Sequence, residues 1–176
     1  MFRDFSVKPK PQNNKARALF IILMVSAFLF VTVSTIVPLY KGIISLLGMT
    51  LLVLAMLIYT KYIAPIYFYD LMVDPDGLPL LVIRQQTGKR HTTLCRIALR
   101  DVVKVERESR KERKDHKTPK GVVKYAYLPT LDPEESYRIS TAGRYEEAEI
   151  LIESSEEFAQ LLSSYAAKAR EAYFVD

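Results

Sequence analysis

The sequence predicts a pair of transmembrane helices joined to an α+β domain of seven strands and one C-terminal helix. Residues Ala18 to Leu39 and Gly42 to Ile63 are apolar almost throughout and contain no acidic residue. After Ile66, short apolar runs separated by turn residues take over, and an amphipathic run follows them. These patterns predict a basic leader at residues 1–17, a membrane hairpin at 18–64 and a water-exposed domain at 65–176.

Each apolar run is long enough to cross a bilayer alone. A helix rises about 1.5 Å per residue, and the hydrocarbon core is about 30 Å thick. Only Tyr40 and Lys41 separate the runs, so we expect a tight antiparallel hairpin. No Asp, Glu, His or Arg lies inside either run, which argues against an ion or proton pathway.

The distribution of charge predicts the orientation of the hairpin. The leader carries Arg3, Lys8, Lys10, Lys15 and Arg17 against one acidic residue, whereas the turn between the helices carries only Lys41. The positive-inside rule therefore predicts a cytoplasmic N-terminus, and two crossings return the C-terminal domain to the same side. The single cysteine, Cys95, suits a reducing compartment.

Seven strands are predicted from apolar runs and from alternation of apolar and polar residues. They are Ile66 to Val73, Pro79 to Gln85, Arg90 to Ile97, Val103 to Glu106, Val123 to Tyr127, Tyr137 to Ile139 and Ala148 to Ile152. Turns at Asp74-Pro75-Asp76-Gly77 and Thr87-Gly88-Lys89 separate the first three. We expect the first four strands to form one antiparallel meander.

The last element is predicted to be an amphipathic helix. Ser154 can cap its first turn and Glu157 can reach back in a capping box. Its expected buried stripe recurs at helical spacing and consists of Phe158, Leu161, Leu162, Tyr165 and Ala169.

This order of elements, with the stretch Ile97 to Val105 and the helix around Phe158 to Tyr165, resembles the pleckstrin-homology-like (PH-like) fold. Small bacterial membrane proteins carry such a domain after a helical hairpin. The resemblance implies a seven-stranded antiparallel barrel or sandwich with a C-terminal helix, at the cytoplasmic face of a bacterial plasma membrane. It also implies an assembly or regulatory role rather than an enzymatic one. The sequence contains no matching phosphoinositide-binding signature.

Basic residues are densest between Lys104 and Lys120, around a predicted loop at residues 109–121. Three interpretations stay open here: a solvated loop, contact with anionic lipid headgroups, or contact with an acidic protein partner. Nucleic acid is disfavoured because the segment lacks interleaved aromatic residues for base stacking. The candidate contact residues are Lys104, Arg107, Arg110, Lys111, Arg113, Lys114, Lys117 and Lys120.

The remaining reactive residues form no predicted catalytic or metal site. If His91 and Cys95 share a strand, four residues separate them by roughly 13 Å, too far for proton transfer. We expect His116 to be solvated and the carboxylates of Glu147, Glu149 and Glu153 to lie on a solvated outer face. No cofactor is predicted.

The predicted function is that of a membrane-anchored interaction or regulatory module, not an enzyme. The alternative is a structural subunit of a larger membrane complex, for which Ser26, Thr32 and Ser45 are compatible. A lipid-processing enzyme is the third class, and it would require Asp101 and His91 to cluster with arginines in a pocket.

Overall fold

The chain divides into two compact units, and one is inserted into the other in sequence. The computed structural model describes residues 4–9, 13–37, 40–143 and 147–175. The helical unit covers Gln12–Pro65, and the second unit comprises Met1–Pro11 together with Ile66–Asp176. The residues before the helices therefore belong to the same unit as the residues after them.

The helical unit consists of two long apolar helices. Helix α1 is Asn14–Ile36, and α2 is Lys41–Ile58 with a π-helical continuation at Tyr59–Ile63. Both helices are long and apolar enough to cross a membrane, with mean hydropathies of 2.6 and 2.4. The first begins four residues before its predicted start, and predicted residues 38 and 39 lie outside the described residues.

Small residues fill the contact between the two helices. Ala27 and Ser34 of α1 and Gly48 and Ala55 of α2 are buried, in each case seven residues apart. A repeat of seven keeps one face of a helix against its neighbour over two turns. Small residues commonly line the contacts between apolar helices, because they let the backbones approach closely. Here these residues lie in the contact between α1 and α2, so they are used within the pair.

Polar groups of the helical unit bond mainly to its own backbone. The hydroxyls of Thr32 and Thr50 donate to the carbonyls four residues earlier, each at 2.9 Å. At the other end of the pair, Asn13 Nδ2 donates to the Tyr62 carbonyl oxygen at 2.6 Å. That bond joins the beginning of α1 to the π-helical turn.

The second unit contains eight described strands and two further helices. The strands are β1 (Phe5–Val7), β2 (Pro65–Val73), β3 (Pro79–Thr87), β4 (Arg90–Ala98), β5 (Val102–Ser109), β6 (Val123–Tyr127), β7 (Glu135–Ala142) and β8 (Glu147–Ile152). The helices are α3 (Arg110–Asp115) and α4 (Glu156–Val175). A strand overlaps each of the seven predicted runs, but β1 in the predicted leader makes eight described strands, so the prediction of a seven-stranded domain is not confirmed.

The strands form two four-stranded sheets. Their orders are β1-β2-β3-β4 and β5-β7-β8-β6. Strand β6 pairs with β8 in parallel, with Val123 opposite Ala148, so the expectation of a wholly antiparallel fold was wrong. The two sheets are separate, and the described strands form no closed barrel.

The predicted four-strand meander was also wrong, because the fourth strand joins the other sheet. A 3₁₀ turn at Leu99–Asp101 separates β4 from β5. Leu99 and Val102 are both buried in the core, and their burial holds the turn in place. Strand β1 is instead the fourth strand of the first sheet, where it pairs with β2 and Ser6 lies opposite Asp70.

Helix α4 completes the core of this unit. Phe158, Leu162 and Ala169 of the predicted stripe are buried, while Leu161 and Tyr165 are partly buried against the same cluster. The cap lies one residue later than predicted, because Ser155 Oγ accepts the Phe158 N–H at 3.3 Å. Ala159 and Ala166 extend the buried face.

Candidate functional site

The predicted basic loop contains a helix. Strand β5 ends at Ser109, whose Oγ accepts the Glu112 backbone N–H at 3.3 Å. The Glu112 carboxylate accepts the Ser109 N–H at 2.8 Å, which completes a capping box. These two bonds begin α3 directly after the strand, so residues 110–115 are helical rather than an extended loop.

Arg113 attaches α3 to the segment before β7. Its side chain is only 10% exposed. It donates to Ser136 Oγ at 2.9 Å, to Asp132 Oδ1 at 3.1 Å and to the Pro133 carbonyl at 2.6 Å. A guanidinium can satisfy three acceptors at once because its donors are held in one plane.

Asp132 receives a second arginine. Arg110 forms an ion pair with its other carboxylate oxygen. Although desolvation acts to raise the pKa of Asp132, its contacts with Arg110 and Arg113 lower that pKa below its ordinary value. Both arginines therefore hold α3 in place.

Four of the eight predicted contact residues thus bond within the domain. Besides Arg110 and Arg113, Lys104 pairs with Glu106 at 2.6 Å and Arg107 pairs with Glu135. The other four are exposed and form no salt bridge with any described residue: Lys111, Lys114, Lys117 and Lys120. The structure thereby divides the basic segment into four residues with ion pairs, three of them arginines, and four lysines that remain available.

A buried polar cluster lies beside α3. His116 Nε2 contacts both carboxylate oxygens of Glu149, at 2.9 and 3.0 Å. Thr118 Oγ1 donates to the same carboxylate at 3.3 Å. Arg138 Nη1 lies 2.8 Å from His116 Nδ1. Because arginine can only donate, Nδ1 accepts and Nε2 carries the proton donated to Glu149.

The expectations for His116 and Glu149 were therefore wrong. Glu149 is buried and His116 is half-buried. Strand β8 lies between β7 and β6, and the segment that follows α3 covers its second face through His116 and Thr118. The alternation of apolar and polar residues along β8 does not predict that its second face is covered. The residues that cover it lie about thirty positions earlier in the chain.

Glu108 extends the cluster to a third strand. It is buried and forms an ion pair with Arg138. Its Oε2 atom and Arg138 Nε have no hydrogen-bond partner among the residues that the structure describes. A cleft of about 360 Å³ opens beside them, lined by Glu106, Arg107, Glu108, Glu112, Asp115, His116 and Arg138. The cluster links β5, β7 and β8 and uses both ring nitrogens of His116 in doing so.

The other reactive residues are held apart. His91 and Cys95 both lie on β4, and the His91 ring is tilted by 48° to the Phe68 ring, with centroids 6.4 Å apart. Burial raises the pKa of the Cys95 thiol, against an opposite effect of its hydrogen bond with Tyr127. Asp101 pairs with Arg100 at 3.8 Å. Over the described residues, no group of three or more His, Cys, Asp or Glu side chains could hold a metal ion.

A tyrosine joins the two sheets at the end of β8. Tyr69 Oη donates to the Tyr127 carbonyl at 2.7 Å and accepts the Glu153 N–H at 3.3 Å. The Glu153 carboxylate accepts the N–H and hydroxyl of Thr130, at 3.1 and 2.8 Å. Burial raises the pKa of Glu153. The expectation of a solvated Glu153 was therefore wrong.

The chain matches no protein-family model, and neither a curated protein nor a solved structure matches it.

Proposed function

We propose that this protein is a membrane-anchored interaction or regulatory module that presents its α+β domain at the cytoplasmic leaflet and binds a protein partner or anionic lipid there. One observation carries the proposal. An apolar helix pair is inserted between two strands, β1 and β2, that pair with each other in one sheet.

The surface of the helix pair supports a membrane anchor. Phe28, Ile36 and Leu46 are 74%, 72% and 67% exposed, and only 11% of each candidate span is buried. Water-soluble monomers rarely expose apolar patches of this extent. Helix α1 has 23 residues, and α2 has 23 together with its π-helical turn. Each is long enough to cross a hydrocarbon core about 30 Å thick.

Strand pairing supports an even number of crossings. Val7 of β1 lies opposite Tyr69 of β2, although the whole helix pair separates them in sequence. Two strands of one sheet must lie on one side of a membrane, so both ends of the helix pair do as well. The basic residues before α1, set against Lys41 alone in the turn, favour the cytoplasm as that side.

The domain supports a PH-like assignment in part. Strands β5, β7 and β8 form an antiparallel three-stranded meander, and α4 follows it to pack on the core. The first sheet has four strands if β1 is counted. Strand β6 is then an addition to the PH-like order, inserted before β7 and paired in parallel.

The lysines of the basic segment support an interaction surface. Lys111, Lys114, Lys117 and Lys120 carry positive charge that no described acidic residue neutralises by a salt bridge. Exposed lysines near a membrane attract anionic surfaces, and each can contribute about 1 kcal/mol close to anionic lipid.

Cysteine labelling tests the anchor and its orientation. In bacterial cells that express a Cys95→Ala background, Lys41→Cys should react with a membrane-impermeant maleimide from outside. Lys111→Cys should react only after the membrane is opened. Labelling of both positions from the same side, or recovery of the protein in the soluble fraction, would contradict the anchor.

Photo-crosslinking tests the interaction. A photoreactive amino acid at Lys117 of the full-length protein should give a defined protein or lipid adduct in cells. The matched control is Lys89, an exposed lysine in the turn between β3 and β4. Equal adducts at both positions, or none at either, would refute a specific interaction surface.

A further inference from the structure

Strand β6 is an edge strand with an open side. It pairs with β8 over Val123–Tyr127 without a register shift, and it is last in the order of its sheet. An edge strand presents alternate backbone N–H and C=O groups that another strand can pair with. Natural edges are usually short, bulged or charged, and β6 has no bulge.

One face of β6 carries apolar side chains that are only partly buried. Val123 and Tyr125 lie opposite Ala148 and Ile150, both core residues, and therefore share the core face of the sheet. They nevertheless remain 39% and 37% exposed. The Tyr125 and Tyr127 rings stack nearly parallel, with centroids 6.3 Å apart. A further strand beside β6 would bury this surface.

The other face of β6 carries Lys124, and two more exposed lysines lie in the segment before the strand. Lys124 lies opposite Glu149, whose carboxylate is already bonded to His116 and Thr118. Lys120 lies in the turn before β6, where the Val122 N–H donates to the Pro119 carbonyl at 3.3 Å and Gly121 has a φ of 90°. Lys117 lies beside Thr118. The exposed lysines 117, 120 and 124 form no salt bridge within the described parts of the chain.

The other edges are less suited to an added strand. Strand β1 has only three residues, and β4 is interrupted by a bulge in its pairing near Ile83 and Arg84 of β3. Strand β5 has a bulge near Val102, and its basic residues Lys104 and Arg107 are neutralised by ion pairs. Only at β6 do an unbroken edge, exposed apolar side chains and unpaired positive charge coincide among the described strands.

We propose that β6 binds an extended segment of a partner protein as a fifth strand, and that this segment alternates acidic and apolar residues. Side chains of a strand point alternately to the two faces of a sheet. Its acidic residues would thus lie beside Lys117, Lys120 and Lys124, and its apolar residues beside Val123 and Tyr125. The inference rests on the proposed function and names the chemistry of its partner.

Peptide binding tests this inference with the full-length protein in zwitterionic nanodiscs. The probe is a fluorescent peptide of about eight residues that alternates Glu and Val, long enough to cover the edge of β6. Anisotropy should report saturable, salt-sensitive binding. A peptide with Lys in place of Glu should not bind. A peptide N-methylated at every backbone amide should bind at least about tenfold more weakly, since neither of its edges keeps an N–H that could pair with β6.

Protein variants supply the second arm. Lys117→Glu, Lys120→Glu and Lys124→Glu together should weaken binding at least about tenfold, because three attractive contacts become repulsive. The control reverses three exposed basic residues in and beside the other sheet, Lys89, Arg90 and Arg96, and should leave binding unchanged. Equal melting temperatures would show that the variants are folded, and the N-methylated peptide tests the edge without any variant.

Two outcomes would overturn the inference. Equal affinity of the N-methylated peptide would mean that no strand is added at β6, and equal affinity of the charge-reversed variant would mean that the lysines do not select an acidic segment. Absence of peptide binding, with charge-dependent attachment of the nanodisc-held protein to anionic vesicles, would assign the lysines to lipid headgroups. That second result would leave the proposed function standing, whereas failure of the labelling test would remove it.

Discussion

At the scale of single residues, the buried carboxylates of Asp70 and Glu149 are hydrogen-bonded to residues that are distant in sequence. Asp70 is buried and accepts bonds from Ser6 and Arg84, which lie 64 and 14 positions away in sequence. The carboxylate of Glu149 likewise accepts a hydrogen bond from His116, which lies 33 positions away in sequence. Burying a carboxylate without hydrogen-bond partners is energetically unfavourable. The partners of these two residues are distant in sequence, so no local sequence pattern could reveal them.

Arg113 provides the sharpest test of this pairing. Replacing it with Met keeps the stem but removes the donor to Ser136 and to the Pro133 carbonyl, and one of the two arginine donors to Asp132. We expect a loss of about 2 to 3 kcal/mol in the free energy of unfolding, because buried acceptors would lose a charged donor. Thermal unfolding of the detergent-solubilised protein measures it.

Lys111→Met is the matched control for Arg113→Met. Lys111 is exposed on the same short helix, and surface substitutions usually change stability by no more than about 0.5 kcal/mol. Equal losses from the two variants would mean that the contacts of Arg113 do not stabilise the domain.

Tyr69 predicts how stability depends on alkaline pH. Burial raises the pKa of Tyr69, and it raises the pKa of Tyr127 to about 12. Above the unfolded tyrosine pKa of about 10, the folded state therefore binds more protons than the unfolded chain. The stability contributed by these groups is complete below that pH and decreases as pH rises further.

Tyr69→Phe separates this effect from ordinary packing. At neutral pH the variant should lose about 1 to 2 kcal/mol, since the Tyr127 carbonyl and the Glu153 N–H lose a partner. Above pH 10 or so, its melting temperature should fall less steeply than that of the wild type. Identical slopes would exclude Tyr69 as a source of the pH dependence.

At the scale of elements, Gly48 decides how closely the two long helices approach. A Cβ atom at this position would lie 3.1 Å from Val31 Cγ2 and 3.3 Å from the Ala27 carbonyl oxygen. Gly48→Leu should therefore force the helices apart and cost about 1 to 3 kcal/mol. Near-ultraviolet circular dichroism of the tyrosines, recorded during heating in detergent, follows the loss of packing.

Gly42→Leu is the control on the same helix. A Cβ atom at Gly42 meets no atom of the described residues within 4 Å, so the added side chain should be tolerated. If Gly42→Leu melted as early as Gly48→Leu, the close approach at Gly48 would not be what stabilises the pair.

Capping residues explain which helices the sequence revealed. The capping box at Ser109 and Glu112 has the same spacing as the one predicted at Ser154 and Glu157. It was missed because the charged residues after Ser109 have no apolar periodicity. At α4 the periodicity was clear, and only the cap was placed one residue early. Apolar spacing therefore predicted the long helix, and cap chemistry alone would have predicted the short one.

At the scale of the whole molecule, the segment before the helices is part of the domain. Phe5 stacks on the buried Phe158 ring at 6.2 Å, and Ser6 bonds to Asp70. Sequence patterns did not predict strand β1, since three residues are too few to establish an alternation. Its position follows from the vacant edge of β2, which only the folded sheet provides.

Replacing Phe5 and Val7 with Gly and Ser6 with Ala tests this role. We expect a melting temperature lowered by the equivalent of about 2 to 3 kcal/mol, because ring stacking and a buried hydrogen bond are lost. The amount of protein in the membrane fraction should not change, since the helices are untouched. An unchanged melting temperature would show that β1 does not stabilise the domain.

The sequence by itself determined the two apolar helices, the strands after them and the terminal amphipathic helix. Those features depend on spacing between near neighbours, where period and length suffice. Only the tertiary structure decided that β5 leaves the first sheet, that β1 enters it, that β6 runs parallel to β8, and that Glu149 is buried beneath His116. Each depends on contacts between distant residues, whose free energy is gained only when the elements pack together.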